Sequence, residues 1–150
     1  MNITVRRARR KDAGYIADYN IAMARETEDK SLDKNTVIRG VQSLMETPEY
    51  GFYLVAEVDG KVAGCLLITY EWSDWRNGLF WWIQSVYVAP EHRGQGVFRS
   101  MYEYVERSAR EDETVCGLRL YVEDENERAQ STYRALGMER TGYQLWEEEF

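Results

Sequence analysis

Hydrophobic positions along this chain alternate in some stretches, cycle in others and run unbroken in a few, and each rhythm predicts an element. Ile3 to Arg9 alternates in the manner of a strand. Ala13, Ile16, Ala17, Ile21 and Ala24 recur at helical spacing behind Asp12, a residue type suited to an N-cap. The polar, aperiodic stretch from Glu26 to Ser31 reads as a loop. Asp33 then caps a second helix with Val37, Ile38, Val41, Leu44 and Met45 on one face, and Thr47-Pro48 closes it. Phe52 to Val58 and Lys61 to Tyr70 are apolar, β-branched runs joined by Asp59-Gly60, a strong hairpin signal.

A second polar loop, Ser73 to Gly78, leads into Leu79 to Val88, which is apolar at nearly every position. Such a run predicts a strand covered on both faces. After a proline and two glycines, Phe98, Met101, Tyr102, Val105 and Ala109 form the inner face of a long helix. Val115 to Val122 reads as a strand. Glu127 to Leu136 follows as a helix aligning Ala129, Thr132, Tyr133 and Leu136, with Gly137 as its C-cap. Tyr143 to Trp146 reads as a last strand. The order β-α-α-β-β-β-α-β-α-β predicts a mixed α/β fold with helices on both faces of one sheet. No repeat or linker divides it, so one domain over residues 1–150 is expected.

Composition narrows the function. No apolar run is long enough to span a bilayer and Met1 to Arg7 lacks a signal-peptide core, so a cytoplasmic protein without a membrane partner is expected. The formal net charge of −7 argues against a nucleic-acid partner. It suits a cationic partner, or serves solubility alone. Cys65 and Cys116 lie in strand-like runs and read as buried free thiols; no Cys/His cluster has the spacing of metal ligands.

The turn from Val88 to Val97 carries the chemistry. Pro90 ends the strand without leaving a ladder donor unpaired. Gly94 and Gly96 allow close approach of backbone to a ligand and conformations that other residues resist. Amides from Gln95 to Ser100 then lie at a helix start, where the macrodipole favours an anion, beside Arg93 and Arg99. A phosphate-bearing ligand fits this arrangement, and so does an ordinary turn with glycine for steric convenience. The segment is neither a Walker loop nor a dinucleotide fingerprint. His92, the one histidine, sits in the turn as a bystander.

The run Val86-x-Val88-x-Pro90-x-x-Arg93-Gly94-Gln95-Gly96-Val97 resembles the acyl-CoA signature of the GNAT family of N-acetyltransferases, Arg/Gln-x-x-Gly-x-Gly/Ala. Asn126-x-x-Ala129-x-x-x-Tyr133-x-x-Leu136-Gly137-Met138 resembles that family's second conserved block, and the element order agrees along the chain. Phe98 departs from the small residue that ends the first signature. The resemblance implies the acyl-CoA N-acyltransferase fold and acetyl-CoA as cofactor. It implies that Val86 and Val88 meet the pantetheine arm, and that amides of Gln95, Gly96, Phe98, Arg99 and Ser100 cradle the pyrophosphate beside Arg93 and Gly94. It also implies that Asn126 hydrogen-bonds the cofactor arm and that Tyr133 is the general acid for the leaving thiolate. A phenol matches a thiolate in basicity well enough for that role. Spacing alone makes Tyr133 a core residue on the inner face of its helix.

The acceptor implied is a primary amine of a small molecule, attacked directly in a ternary complex, with a homodimer as the usual assembly. The chain is distantly similar to the family's small-amine and polyamine acetyltransferases, whose fourth strand often carries an acidic pair where Gln84-Ser85 stands here. Gln84 can orient a substrate but cannot act as a base. Glu28 and Glu71 are the remaining candidates on the acceptor side, and both also read as solvated surface carboxylates. Trp72, Trp75, Trp81 and Trp82 suit stacking on a cationic amine, or else core and dimer contacts. Two other functions stay open at this point, a peptide or protein N-acetyltransferase and a non-catalytic acyl-CoA-binding module.

Overall fold

Asp59 and Gly60 close a two-residue turn in which both take positive φ, 50° and 83°, the left-handed pair that a tight hairpin requires. In the computed structural model, which describes residues 1–150, this turn joins β2 (Gly51–Val58) to β3 (Lys61–Ser73). Antiparallel ladders tie β1 (Ile3–Arg7) to β2 and β3 to β4 (Gly78–Val88). β5 (Val115–Arg119) pairs with β4 in parallel, so the sheet is mixed, in the order β1-β2-β3-β4-β5. The parallel pair needs a crossover, and α3 (Val97–Glu111) provides it. These elements belong to the first of two compact units, Met1–Leu120; the second is Tyr121–Phe150.

The two sheet faces of the first unit hold different helices. On one, α1 (Ala13–Glu28) and α2 (Lys34–Glu46) pack Ile16, Ala17 and Val41 against Tyr53, Val55, Cys65 and Tyr87. On the other, α3 inserts Val97 and Met101 so closely that a Cβ on Gly64 would lie 3.5 Å from each and 2.8 Å from the Tyr87 carbonyl. Ile16, Leu54, Leu66, Ile68 and Met101 are completely buried, each contributing roughly 1.5–3 kcal/mol by area. Asp33 caps α2 as its sequence position predicts, accepting from Thr36 N–H at 3.0 Å. Asp12 stands at the start of α1 but makes no side-chain cap bond to that helix. Its buried carboxylate instead takes the fork of Arg6, at 2.8 and 3.1 Å, and the Arg9 N–H at 2.7 Å.

Four sequence expectations need correction. α1 runs on through Glu28, because polar residues continue a helix whose exposed face they occupy, so Glu26 to Glu28 are helical rather than loop. β1 ends at Arg7 and β5 at Arg119, earlier than their apolar runs suggest. Cys116 is exposed, at the point where the β4–β5 register shifts, whereas Cys65 is buried. Tyr143 to Trp146 forms no strand: the alternation is present but the segment joins no ladder, and Tyr143, Leu145 and Trp146 are 79, 69 and 82% exposed.

Within the second unit, α4 (Glu127–Ala135) is closed at both ends by local chemistry. Asn126 Oδ1 accepts from Ala129 N–H at 3.1 Å. At the other end Gly137 takes φ 97°, its N–H reaching the Arg134 carbonyl and the Met138 N–H reaching that of Tyr133, both at 3.0 Å. That pair of bonds is the Schellman closure predicted by the glycine.

Candidate active site

β4 loses both its neighbours' register near its end. Pairing with β5 stops at Trp82 opposite Arg119, so within this unit residues 83–88 continue with no β5 partner. On the β3 side, Leu67 pairs with Gln84 and Cys65 with Tyr87, which inserts one extra residue into β4. Ser85 takes the strain of that bulge with φ 50°, a left-handed conformation costing an L-residue roughly 1–2 kcal/mol. Bulges of this kind re-aim a strand beside a site, and here the bulge bends β4 just ahead of the glycine turn. The unpaired strand edge that results holds Val86 and Val88.

Arg93 pins the turn to the strand. Its Nε donates to the Val88 carbonyl at 2.8 Å, its guanidinium meets Glu26 of α1 at 3.2 Å, and it lies 5.2 Å from the Tyr87 ring centre. Gly94 and Gly96 follow with φ 76° and 85°, conformations that glycine adopts without strain. No atom lies within 4 Å of a Cβ built at either, so the space over the turn is open and the glycines are required by their dihedrals. The first helical bond of α3 is Ser100 N–H to the Gly96 carbonyl at 3.0 Å. The amides of Gly96, Val97 and Arg99 precede it and have no helical carbonyl to meet. Together with Gln95 they form an anion-binding concavity at the positive end of a helix.

Some predicted phosphate ligands are placed differently. The Ser100 amide is committed to the helix and its hydroxyl also donates to the Gly96 carbonyl, at 2.9 Å. Arg93 acts chiefly within the protein, through Val88 and Glu26. Arg99 is exposed and pairs with Glu103 one turn on, at 3.2 Å. Phe98 turns its ring along the helix toward Tyr102, with centroids 6.2 Å apart.

The acceptor-side candidates separate into two places. Thr69, Glu71, Trp82, Gln84 and Arg119 share one sheet face by register. Gln84 Nε2 donates to Thr69 Oγ1, which fixes its amide beside the bulge. Glu71 is no isolated surface carboxylate. It accepts from Trp82 Nε1 at 2.9 Å and from Arg119 at 2.8 Å, and those bonds, Trp82 first, hold its carboxyl below the usual range. A carboxylate so stabilised is a weak base. Glu28 lies elsewhere, exposed at the end of α1 and 3.5 Å from Lys30. Trp81 is buried on the opposite face, edge-on to Phe52 at 5.2 Å, while Trp72 and Trp75 are exposed. His92 lies in the short helical turn Pro90–His92.

Asn126 and Tyr133 belong to the second unit. Capping engages the Asn126 carbonyl oxygen and leaves its amide nitrogen to donate elsewhere. Burial pushes the Tyr133 phenol above the ordinary tyrosine value, so it keeps its proton through the neutral range. Cys65 is equally protonated: burial raises its thiol to about 12, which removes it as a nucleophile. Glu26, Tyr87, Thr69 and Arg119 were not foreseen as site residues. Only Arg119 left a signal, a lone charge inside an apolar strand pattern.

Comparison with known proteins agrees with this geometry. A family model described as the acetyltransferase (GNAT) family matches residues 13–138. Thialysine N-epsilon-acetyltransferase of Bos taurus is 37% identical over 100 residues, which are 61% of this chain and 57% of that protein. The match thus spans little more than half of the relative's length. The structure of a possible acetyltransferase from Clostridium difficile 630 is 43% identical, with a TM-score of 0.92 over 100% of this chain and 99% of that one. A predicted acetyltransferase with acetyl-CoA from Clostridium acetobutylicum shares the fold at 17% identity, with a TM-score of 0.79 over 98% and 96% of the two chains.

Proposed function

Because the chain belongs to the GNAT acetyltransferase family, we propose that it transfers an acetyl group from acetyl-CoA to a primary amine of a small molecule. The observation that carries this reading is the bulged end of β4 running into two left-handed glycines at the start of α3. Open space over the turn and amides without helical acceptors suit a pyrophosphate, and the unpaired edge at Val86 and Val88 suits an amide-bearing arm. Acetyl-CoA, when bound, supplies an acyl group on a thiol leaving group.

The residues of the chain then divide the work. Gln95, Gly96, Val97 and Arg99 donate backbone N–H groups to phosphate oxygens. Arg93 holds strand and turn in register. Asn126 donates its side-chain amide to the cofactor arm. Tyr133, kept protonated by burial, donates to the departing sulfur. Gln84, fixed by Thr69, offers its carbonyl oxygen to the incoming amine. Direct attack in a ternary complex is favoured over a covalent enzyme intermediate because the Cys65 thiol is buried and protonated, while Cys116 lies against Gly78 at the far end of β4 from the glycine turn.

The bovine relative is by name an N-epsilon-acetyltransferase of thialysine, which supports a small amine as acceptor. A cytoplasmic homodimer belongs to the same reading, and no helix is long and apolar enough to cross a membrane. The test is thiol release from acetyl-CoA with lysine, thialysine, polyamines and aminoglycosides in turn, against a peptide panel. Release stimulated by a small amine is the expected result. Stimulation by peptides alone moves the acceptor to protein, and cofactor binding without release by any amine ends the enzyme reading.

A further inference from the structure

A cavity lies toward the other end of the sheet. It has a volume of about 400 Å³ and is lined by Arg7 from β1, Gln42, Met45 and Pro48 from the α2 region, and Phe52 and Tyr70 from β2 and β3. Tyr70 pairs with Trp81 in the β3–β4 ladder, while the glycine turn follows Val88. Seven residues of β4 separate those two levels, about 23 Å at the usual strand rise. The cavity therefore belongs neither to the proposed pyrophosphate cradle nor to the bulge.

Arg7 is the unusual member. Its neighbours Arg6 and Arg10 both hold carboxylates, Asp12 and Glu57 for the first and Glu46, at 3.7 Å, for the second. Arg7 holds none, in a chain with 26 acidic residues. Instead its guanidinium carbon lies over the Phe52 ring, 3.4 Å from the centroid. A guanidinium held over a ring face keeps its in-plane N–H donors available, the bidentate geometry a carboxylate prefers. The Tyr70 ring stands beside the same Phe52, centroids 6.4 Å apart, and burial raises its phenol, with Arg7 acting downward on it and Asp112 upward.

Apolar side chains stand beside Arg7 in the cavity. Met45, Pro48 and the buried Tyr53 form its walls. Gly51, at its edge, has φ 148°, and a Cβ there would fall 1.9 Å from the Ile68 carbonyl oxygen, so the backbone cannot give way to a side chain. Arg10 is engaged by Glu46, the one acidic residue of the lining, so Arg7 is the cation left to a ligand here, with Asp112 the other charge acting on Tyr70. Its volume falls within the range of small-molecule sites.

We propose that this cavity binds a small monocarboxylate with an apolar body, its carboxylate on the edge of Arg7 and the hydroxyl of Tyr70, its body against Met45 and Pro48. The inference does not depend on the acetyltransfer reading. The test uses the full chain with phenylacetate as probe, read by isothermal titration calorimetry and by saturation-transfer NMR. Saturable binding is expected, and benzyl alcohol, which keeps the ring and loses the charge, should bind roughly tenfold more weakly. Acetate, which keeps the charge and loses the body, should also bind more weakly than phenylacetate.

Arg7→Gln should lower phenylacetate affinity roughly 10- to 100-fold, Arg7→Lys should not restore it, and Tyr70→Phe should cost a few-fold. Each variant should keep the parent melting temperature within a few degrees and its thiol release from acetyl-CoA unchanged. No saturable binding overturns the proposal. So does equal affinity for benzyl alcohol, an Arg7→Gln variant that is folded and binds as well as the parent, or displacement of phenylacetate by acetyl-CoA.

Discussion

Arg93 and Val88 are joined across the turn that follows β4, the arginine Nε donating to the valine carbonyl at 2.8 Å. The contact closes the five-residue path between them, so the position of the glycine pair depends on the Arg93 side chain. Glu26 adds a second tie from α1, at 3.2 Å. The two ties differ in kind. The first is a charge-assisted bond to a strand carbonyl; the second is an ion pair whose members are 48 and 41% exposed, and exposed pairs contribute only about 0–1 kcal/mol.

Arg93→Ala should therefore weaken acetyl-CoA binding roughly tenfold, about 1.4 kcal/mol, in line with a hydrogen bond to a charged group. Glu26→Gln should weaken it less than about threefold. Calorimetric titration with coenzyme A measures both. Equal losses would mean that the ion pair, rather than the strand contact, holds the turn.

Gly96→Ala tests the turn by conformation alone. The glycine has φ 85° and nothing within 4 Å of a new Cβ, so no collision confuses the result. Holding alanine left-handed costs roughly 1–2 kcal/mol, and relaxation out of that conformation would rotate the Gly96 and Val97 amides away from their shared direction. A fall of several degrees in melting temperature, or a retained melting temperature with weakened coenzyme A binding, is expected. Gly96→Asn should recover part of the loss, because asparagine tolerates this region better than alanine does. An alanine variant unchanged in both properties would show that the left-handed turn is dispensable.

What was readable in the sequence was local. Asp59-Gly60, the Asp33 cap and the Gly137 closure each depend on residues within a few positions, and each is found as expected. The bulge was less accessible. Gln84-Ser85 stood out for what it lacks, yet the positive φ of Ser85 follows from the register of Leu67 and Cys65 on another strand. Glu26 and Arg93 are 67 residues apart, and neither carries a local sign of the other. Tyr143 to Trp146 misled for the complementary reason: alternation reports a side-chain pattern, whereas a strand exists only if another backbone completes its ladder. Asp12 shows the same competition, since its carboxylate takes the Arg6 fork and the Arg9 N–H and makes no cap bond to α1.

Glu71 gives a pH prediction with a definite sign. Its carboxyl is held below the usual range by Trp82 and Arg119, so it supplies stability above its unfolded value and loses it as pH falls through the folded one. The group is 43% exposed on its side chain, which limits the effect to under about 1 kcal/mol. Glu71→Gln should lower the melting temperature slightly at neutral pH, with the difference from the parent shrinking below about pH 4, where the ordinary glutamate titrates. Its kcat–pH profile should keep the parent's shape. A lost acidic limb in that profile would restore Glu71 as the base.

Tyr133 gives the opposite limb. Burial raises its phenol above the ordinary tyrosine value of 10.0, so the protonated form needed to donate to a departing thiolate persists through the working range and is lost only as pH rises beyond that value. Tyr133→Phe removes the proton but keeps the ring. If the residue is the general acid, kcat should fall roughly 100-fold or more while coenzyme A affinity changes only a few-fold. The alkaline limb of the parent's kcat–pH profile, lying above pH 10, should vanish in the variant. A phenylalanine enzyme that retains that limb would assign it to another group. One that loses kcat and coenzyme A affinity in equal measure would mark Tyr133 as a binding residue whose hydroxyl takes no part in the chemistry.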